Sequence, residues 1–320
     1  MSRIVILIVL LGLLGGCASR KATTPVFLDL EPGRLPPTDV TLNIPGLGPC
    51  TDSPDRSLHL DSSQPVNVLV HGCFGSSGQF RGLAQVMAFH GQQSACFTYD
   101  DRARLAYSAD ELTRAITQMA EQSRVPQITV IGHSQGALIA RRALTESSSV
   151  PQAKRPVDLR LVTISGPFAG IEAAQPCGKV LLYPLTLGLL PLSCYLGTGP
   201  KWADITEFSG FIREPGVLSS RVSRYLKIDT DERGTCRRVE NGRCVEDDEI
   251  FSLTEQRNPQ VEAGPQIRRV EVKAGHVEIV GDSRVAPKKL IAVLQEQDVL
   301  RLTSSERQAA FNLLLARVYQ

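Results

Sequence analysis

The hydrophobic pattern changes character twice along the chain. Ile4 to Gly16 is an uninterrupted apolar run of thirteen residues. Ser19 to about Ser63 is rich in Pro, Asp, Ser and Thr, which predicts a spacer and an irregular lead-in with short strands near Thr41–Ile44 and Leu58–Leu60. From residue 64 onward, compact apolar runs alternate with segments of helical spacing. Val66–Val70, Ala95–Tyr99, Gln127–Ile131 and Leu159–Ile164 read as buried strands. Gln79–His90, a segment opened by a capping box at Ser108–Glu111, and Gly136–Thr145 read as helices. Strand and helix at this spacing imply a doubly wound, mostly parallel α/β sheet with helices on both faces. Residues 169–220 break the rhythm. Their apolar stretch Val180–Leu192 is punctuated by Pro184, Gly188 and Pro191 and reads as an inserted cap or lid. The pattern returns with strands at Tyr225–Ile228 and Arg268–Lys273 and helices at Lys288–Gln297 and Ser304–Tyr319.

The first apolar run is shorter than the ~20 residues a membrane span needs. With Arg3 ahead of it, it has the proportions of a secretory signal core, residues 1–16. Leu14-Gly15-Gly16-Cys17 resembles the lipobox of bacterial lipoproteins, which implies cleavage before Cys17, lipidation of its thiol and a membrane anchor. Ala18 rather than Asp implies the outer membrane, with the protein facing the periplasm. An oxidising compartment permits disulfides among the remaining cysteines. Cys236 and Cys244 flank the turn dipeptide Asn241-Gly242 and are expected to pair. Cys177 and Cys194 bracket the apolar part of the insertion and are a second candidate pair. Cys50, Cys73 and Cys96 leave one thiol over. No CxxC pair or close His/Cys cluster suggests a metal, and no cofactor is expected.

Chemistry concentrates in Gly132-His133-Ser134-Gln135-Gly136, a Gly-x-Ser-x-Gly between a β-branched strand and an Ala/Leu helix. Such a turn exposes its Ser in a strained conformation, and side chains at Gly132 or Gly136 would collide with the neighbouring elements. With the alternating elements around it, the motif resembles the α/β-hydrolase superfamily, lipase and esterase branch, over about residues 64–300. The resemblance implies Ser134 as nucleophile, followed in chain order by an acid and then a His. His276 alone among five histidines follows Ser134, in Ala274-Gly275-His276-Val277 past the last strand. The acid is expected at Asp248 in Val245-Glu246-Asp247-Asp248-Glu249-Ile250-Phe251, with Asp247 next and Asp229 or Asp231 behind them. The turn His71-Gly72-Cys73-Phe74-Gly75 implies an oxyanion hole made by the backbone N–H groups of Cys73 and Gln135. His71 and His133 are expected to be structural. Arg141-Arg142 and Arg237-Arg238 are expected on the solvated surface.

Charge and composition narrow the classes. Thirty-five Lys and Arg against 33 Asp and Glu leave no basic field for nucleic acid. Aromatic content of 5% is thin for stacking on sugars or bases. The sequence therefore predicts a lipid-anchored serine hydrolase cleaving a small-molecule or lipid ester or thioester through an acyl-enzyme. An amidase or peptidase with the same triad, and a non-catalytic envelope lipoprotein on a hydrolase scaffold, are the alternatives.

Overall fold

The computed structural model describes residues 35–146, 155–178 and 189–319. The signal segment, Cys17, the first part of the spacer and most of the Val180–Leu192 run lie outside these residues. The lead-in forms β1 (Val40–Leu42), β2 (Leu47–Gly48) and β3 (Leu58–Leu60), with β1 and β3 paired antiparallel. The central sheet adds β4 (Val66–Val70), β5 (Gln93–Phe97), β6 (Gln127–His133), β7 (Asp158–Ile164), β8 (Val222–Asp231) and, last in the chain, β11 (Ile267–Lys273). Its order is β11-β8-β7-β6-β4-β5-β2, parallel throughout except for β2 at the edge. The lead-in is thus stitched to the sheet, and a Cys50–Cys96 disulfide fastens it to β5.

Covered on both faces, the inner strands can afford no polar face, which is why β4 is apolar at four of five positions and buried at all of them. Alternate residues feed two cores. Val68, Val130 and Leu161 pack with α2 (Leu105–Gln122) and α3 (Gln135–Ala143). Leu69, Ile131 and Val162 pack with α1 (Arg81–Phe89) and with two late helices, Lys288–Glu296 and Gln308–Val318. The period-2 geometry of a strand makes this division automatic.

Between β7 and β8 lies the cap, with helices α4 (Gln175–Gly178), α5 (Leu189–Thr198), α6 (Lys201–Asp204) and α7 (Gly210–Arg213). Cys177 and Cys194 join α4 to α5. After β8 comes the hairpin β9 (Cys236–Glu240) and β10 (Arg243–Asp247), turned by Asn241 and Gly242 at φ 50° and 76° and closed by the Cys236–Cys244 disulfide. Among the described residues, Cys73 is the cysteine that joins no disulfide.

Two local expectations give way to tertiary structure. α2 begins at Leu105, so Ser108 lies inside the helix, fully buried, and caps nothing. The Leu105 N–H is satisfied instead by Asp204 Oδ2 of the cap, at 2.9 Å. Nor is Arg141 solvated: it is 3% exposed and donates to Pro215 O and Gly216 O at 2.5 and 3.0 Å. Arg142 donates to Phe211 O and Glu214 O. The chain leaving the cap carries carbonyls with no ladder partner, and these two guanidiniums supply the donors. Arg237 is likewise tied down, between Glu246 and Asp282.

Candidate active site

β6 runs into Ser134 and α3 begins one residue later, so the turn is as tight as a strand-to-helix connection can be. Ser134 takes φ 57° and ψ −125°, a conformation that costs a non-glycine residue of order 1–3 kcal/mol. Its N–H donates to Ile164 O of β7 at 2.9 Å. The flanking glycines have no room for a side chain: a Cβ on Gly132 would stand 2.3 Å from Gly136 O, and one on Gly136 2.3 Å from Val70 O.

His276 lies six per cent exposed in the turn after β11. Two contacts seat it beside the elbow. His133 Nε2 donates to the His276 carbonyl at 2.9 Å, and the two rings lie 4.7 Å apart. Burial, with the neighbouring His276 second, drives the His133 pKa well below the ordinary imidazole value, so His133 is a neutral strut. Among the described residues no hydrogen bond joins the Ser134 hydroxyl to the His276 ring.

The carboxylate that meets His276 is Glu232, a residue the sequence reading passed over. Its Oε1 accepts from His276 Nδ1 at 2.9 Å and from Thr230 Oγ1 at 2.8 Å. Its Oε2 accepts from the N–H groups of Ile250 and Phe251, both at 2.7 Å. The Glu232 side chain is fully buried, and Phe251 stands edge-on to the His276 ring at 4.7 Å. The position was hidden by β8, which runs on past Ile228 to Asp231 and delivers Glu232 as the first residue beyond the strand. Three hydrophilic residues in Asp229-Thr230-Asp231 ended the apolar pattern early. Asp229 faces Lys227, and Asp231 holds Arg233 and Lys273.

Asp248 touches the His turn from its backbone side. Oδ1 and Oδ2 accept from Val277 N and Glu278 N at 2.9 and 3.0 Å, and its carbonyl accepts from His276 N at 2.9 Å. Burial raises its carboxyl pKa above the usual value against those donors. With both oxygens committed to the backbone, Asp248 anchors the turn and does not address the ring. Asp247 is exposed, and its Oδ1 accepts from Glu249 N. The turn has no room to spare: a Cβ on Gly275 would lie 2.0 Å from Asp248 Oδ2. Gly275→Ala is therefore expected to cost about 1–3 kcal/mol, read as a lower urea midpoint at unchanged slope. An unchanged midpoint would show that the Asp248 anchor yields freely.

The turn after β4 closes over Ser134. A Cβ on Gly72 would stand 3.0 Å from Ser134 Cβ, so Gly72 faces the elbow directly. His71 Nδ1 donates to Gly72 O at 2.9 Å, and its ring stacks on Tyr99 at 4.4 Å. Tyr99 Oη donates to His71 O at 2.8 Å. Desolvation lowers the His71 pKa, consistent with a neutral bracing group. Cys73 and Gln135 follow Gly72 and Ser134 respectively, so their backbones flank this junction.

Residues 65–213 match the family model for palmitoyl protein thioesterase, a span from β4 to α7 that contains Ser134 and ends before Glu232 and His276. The structure is similar to the mature form of Bacillus licheniformis lipase BlEst2, at 15% identity and a TM-score of 0.51, over 79% of this chain and 97% of that one. Against the propeptide form of the same lipase the identity is 15% and the TM-score 0.52, over 81% of this chain and 54% of that one. No curated protein matches the chain. The chain has the α/β-hydrolase fold. The family match supports a hydrolase of the esterase type, and the likeness to the lipase supports the fold alone.

Proposed function

We propose that the protein hydrolyses acyl esters or thioesters through a Ser134–His276–Glu232 triad and an acyl-enzyme. The observation that carries this reading is the seating of His276. Its Nδ1 is held 2.9 Å from a buried carboxylate while its backbone is pinned to the residue preceding Ser134. With Nδ1–H committed to Glu232, Nε2 is the basic nitrogen. It takes the Ser134 proton as Oγ attacks the acyl carbon, and passes it to the leaving alcohol or thiol when the tetrahedral intermediate collapses. Water repeats the sequence on the acyl-enzyme, releasing the acid and restoring Ser134. Cys73 N–H and Gln135 N–H are assigned to the oxyanion. The name of the matching family supports acyl thioesters as the first substrates to screen.

The test is a fluorophosphonate probe on protein lacking residues 1–17, followed by 4-nitrophenyl esters and acyl thioesters of graded chain length. Labelling confined to Ser134, with turnover of at least one series, is expected. Absence of both labelling and turnover would sink the reading. We also place the protein on the outer membrane through lipid at Cys17, on the strength of the lipobox-like Leu14–Cys17. Radiolabelled palmitate fed to expressing cells should mark the full chain and not Cys17→Ala. Equal labelling of both would remove the anchor.

A further inference from the structure

The cap grips the segment that follows β5 at three points. Arg102 donates to Tyr195 O and Leu196 O, each at 3.2 Å. Asp204 pairs with Arg104 at 3.0 Å while capping α2 through Leu105 N. Lys201 reaches Asp101 Oδ2 at 3.3 Å. The same Asp101 oxygen accepts from Phe74 N at 2.7 Å, inside the turn assigned to the oxyanion hole. Phe74 has φ 56°, so that turn is held in a conformation it would not keep unaided.

Lys201 completes the arrangement. It is fully buried, its ammonium lies 2.9 Å from Cys73 Sγ, and it stands 4.8 Å from the centroid of the Phe74 ring. Burying an ammonium is costly unless its surroundings compensate it. The other buried lysine among the described residues, Lys227, answers this with two carboxylates, Asp229 and Glu262. Lys201 has one carboxylate, a thiol sulfur and an aromatic face, and every one of these either belongs to the oxyanion turn or holds it.

We propose that Lys201 is a positioning residue, delivered by the cap, that holds the Cys73–Phe74 backbone in its oxyanion-binding geometry. Docking of the cap and completion of the hole are then one event. The inference rests on the triad reading above, because the turn matters only if Ser134 generates an oxyanion.

Lys201→Met keeps length and apolar volume while removing the charge. With 4-nitrophenyl butyrate as the probe, kcat should fall about 10- to 100-fold with KM within twofold, the signature of support lost in the transition state alone. A trifluoromethyl ketone that mimics the tetrahedral intermediate should lose affinity by the same factor. Cys73→Ala combined with Lys201→Met should lose less than the product of the single effects, because the two side chains act on one turn. Turnover of Lys201→Met within twofold of the parent, a rise in KM at constant kcat, or strict additivity would each overturn the proposal. Ser134→Ala, assayed alongside, keeps the readings separate. An active Ser134→Ala ends the triad, whereas a dead Ser134→Ala with a normal Lys201→Met ends only the role of Lys201. Should Lys201→Met fail to fold, Asp101→Asn takes its place. It retains an acceptor for Phe74 N and removes the charge facing Lys201, and the same fall in kcat at constant KM is expected, with an unchanged kcat overturning the proposal.

Discussion

Replacing Glu232 by Gln should lower kcat on 4-nitrophenyl butyrate about 10⁴-fold, the scale seen when the acid of a serine triad is made an amide. The argument follows from donor and acceptor counts. Glu232 receives His276 Nδ1–H and Thr230 Oγ1–H on one oxygen and two backbone N–H groups on the other. A Gln of the same shape keeps one oxygen, and the paired N–H groups of Ile250 and Phe251 will claim it. The amide NH₂ then faces Nδ1, which must give up its proton to accept. The proton moves to Nε2, and the ring can no longer act as a base. Asp248→Asn behaves differently. It opposes one amide hydrogen to Val277 N or Glu278 N, so about 1–3 kcal/mol of stability should be lost while kcat falls by less than about 10²-fold. Measuring kcat and urea midpoint for both variants separates acid from anchor. If Asp248→Asn proves the more damaging to turnover, the assignment of Glu232 is wrong.

The contrast between those two carboxylates also marks where the sequence stops being readable. The nucleophile elbow is legible because its demands are local: a β-branched strand, two glycines and a helix within nine residues, Thr129–Ala137. His276 is legible by chain order together with its place after the last strand. Which carboxylate meets the His276 ring is a tertiary property. Asp248 and Glu232 both lie beside the His turn, and which of them reaches the ring depends on how far β8 extends and on which oxygens the backbone occupies. β8 carries Lys227, Asp229 and Thr230 on buried positions, so its apolar signal fades three residues before the strand ends. The polar residues survive burial because they meet across the fold: Lys227 with Glu262, Thr230 with Gln256. The same logic hid the start of α2, whose first N–H is capped by a residue almost a hundred positions away. Disulfides fall between these cases. The turn at Asn241-Gly242 keeps Cys236 and Cys244 on adjoining strands, but their meeting is not simple register: the hairpin pairs Cys244 with Val239 and Cys236 with Asp247, with register shifts between Cys244 and Asp247. Cys50 meets Cys96 only because β2 adds itself to the sheet edge beyond β5.

Ser134→Ala should leave the fold intact and remove turnover almost entirely, by on the order of 10⁶-fold in kcat if it behaves as nucleophile loss does in other serine hydrolases. What little remains would come from binding and the oxyanion donors. The stability side is the sharper half of the prediction. At φ 57° and ψ −125°, Ala and Ser experience the same clash between Cβ and the backbone, so the thermal midpoint should hardly move. Gly relieves that clash, and Ser134→Gly should unfold at a higher temperature than Ser134→Ala. The relief is offset in part by the entropy Gly adds to the unfolded chain, leaving a gain of up to about 1–2 kcal/mol. A binding protein on a hydrolase scaffold would have no reason to keep a strained serine here, since Gly at 134 would fold better and bind as well. Strain retained at the one hydroxyl flanked by His276 and the oxyanion turn is what catalysis would select and binding would not. Finding Ser134→Ala as active as the parent, with Ser134→Gly no more stable than Ser134→Ala, would remove both the chemical and the conformational argument for an enzyme.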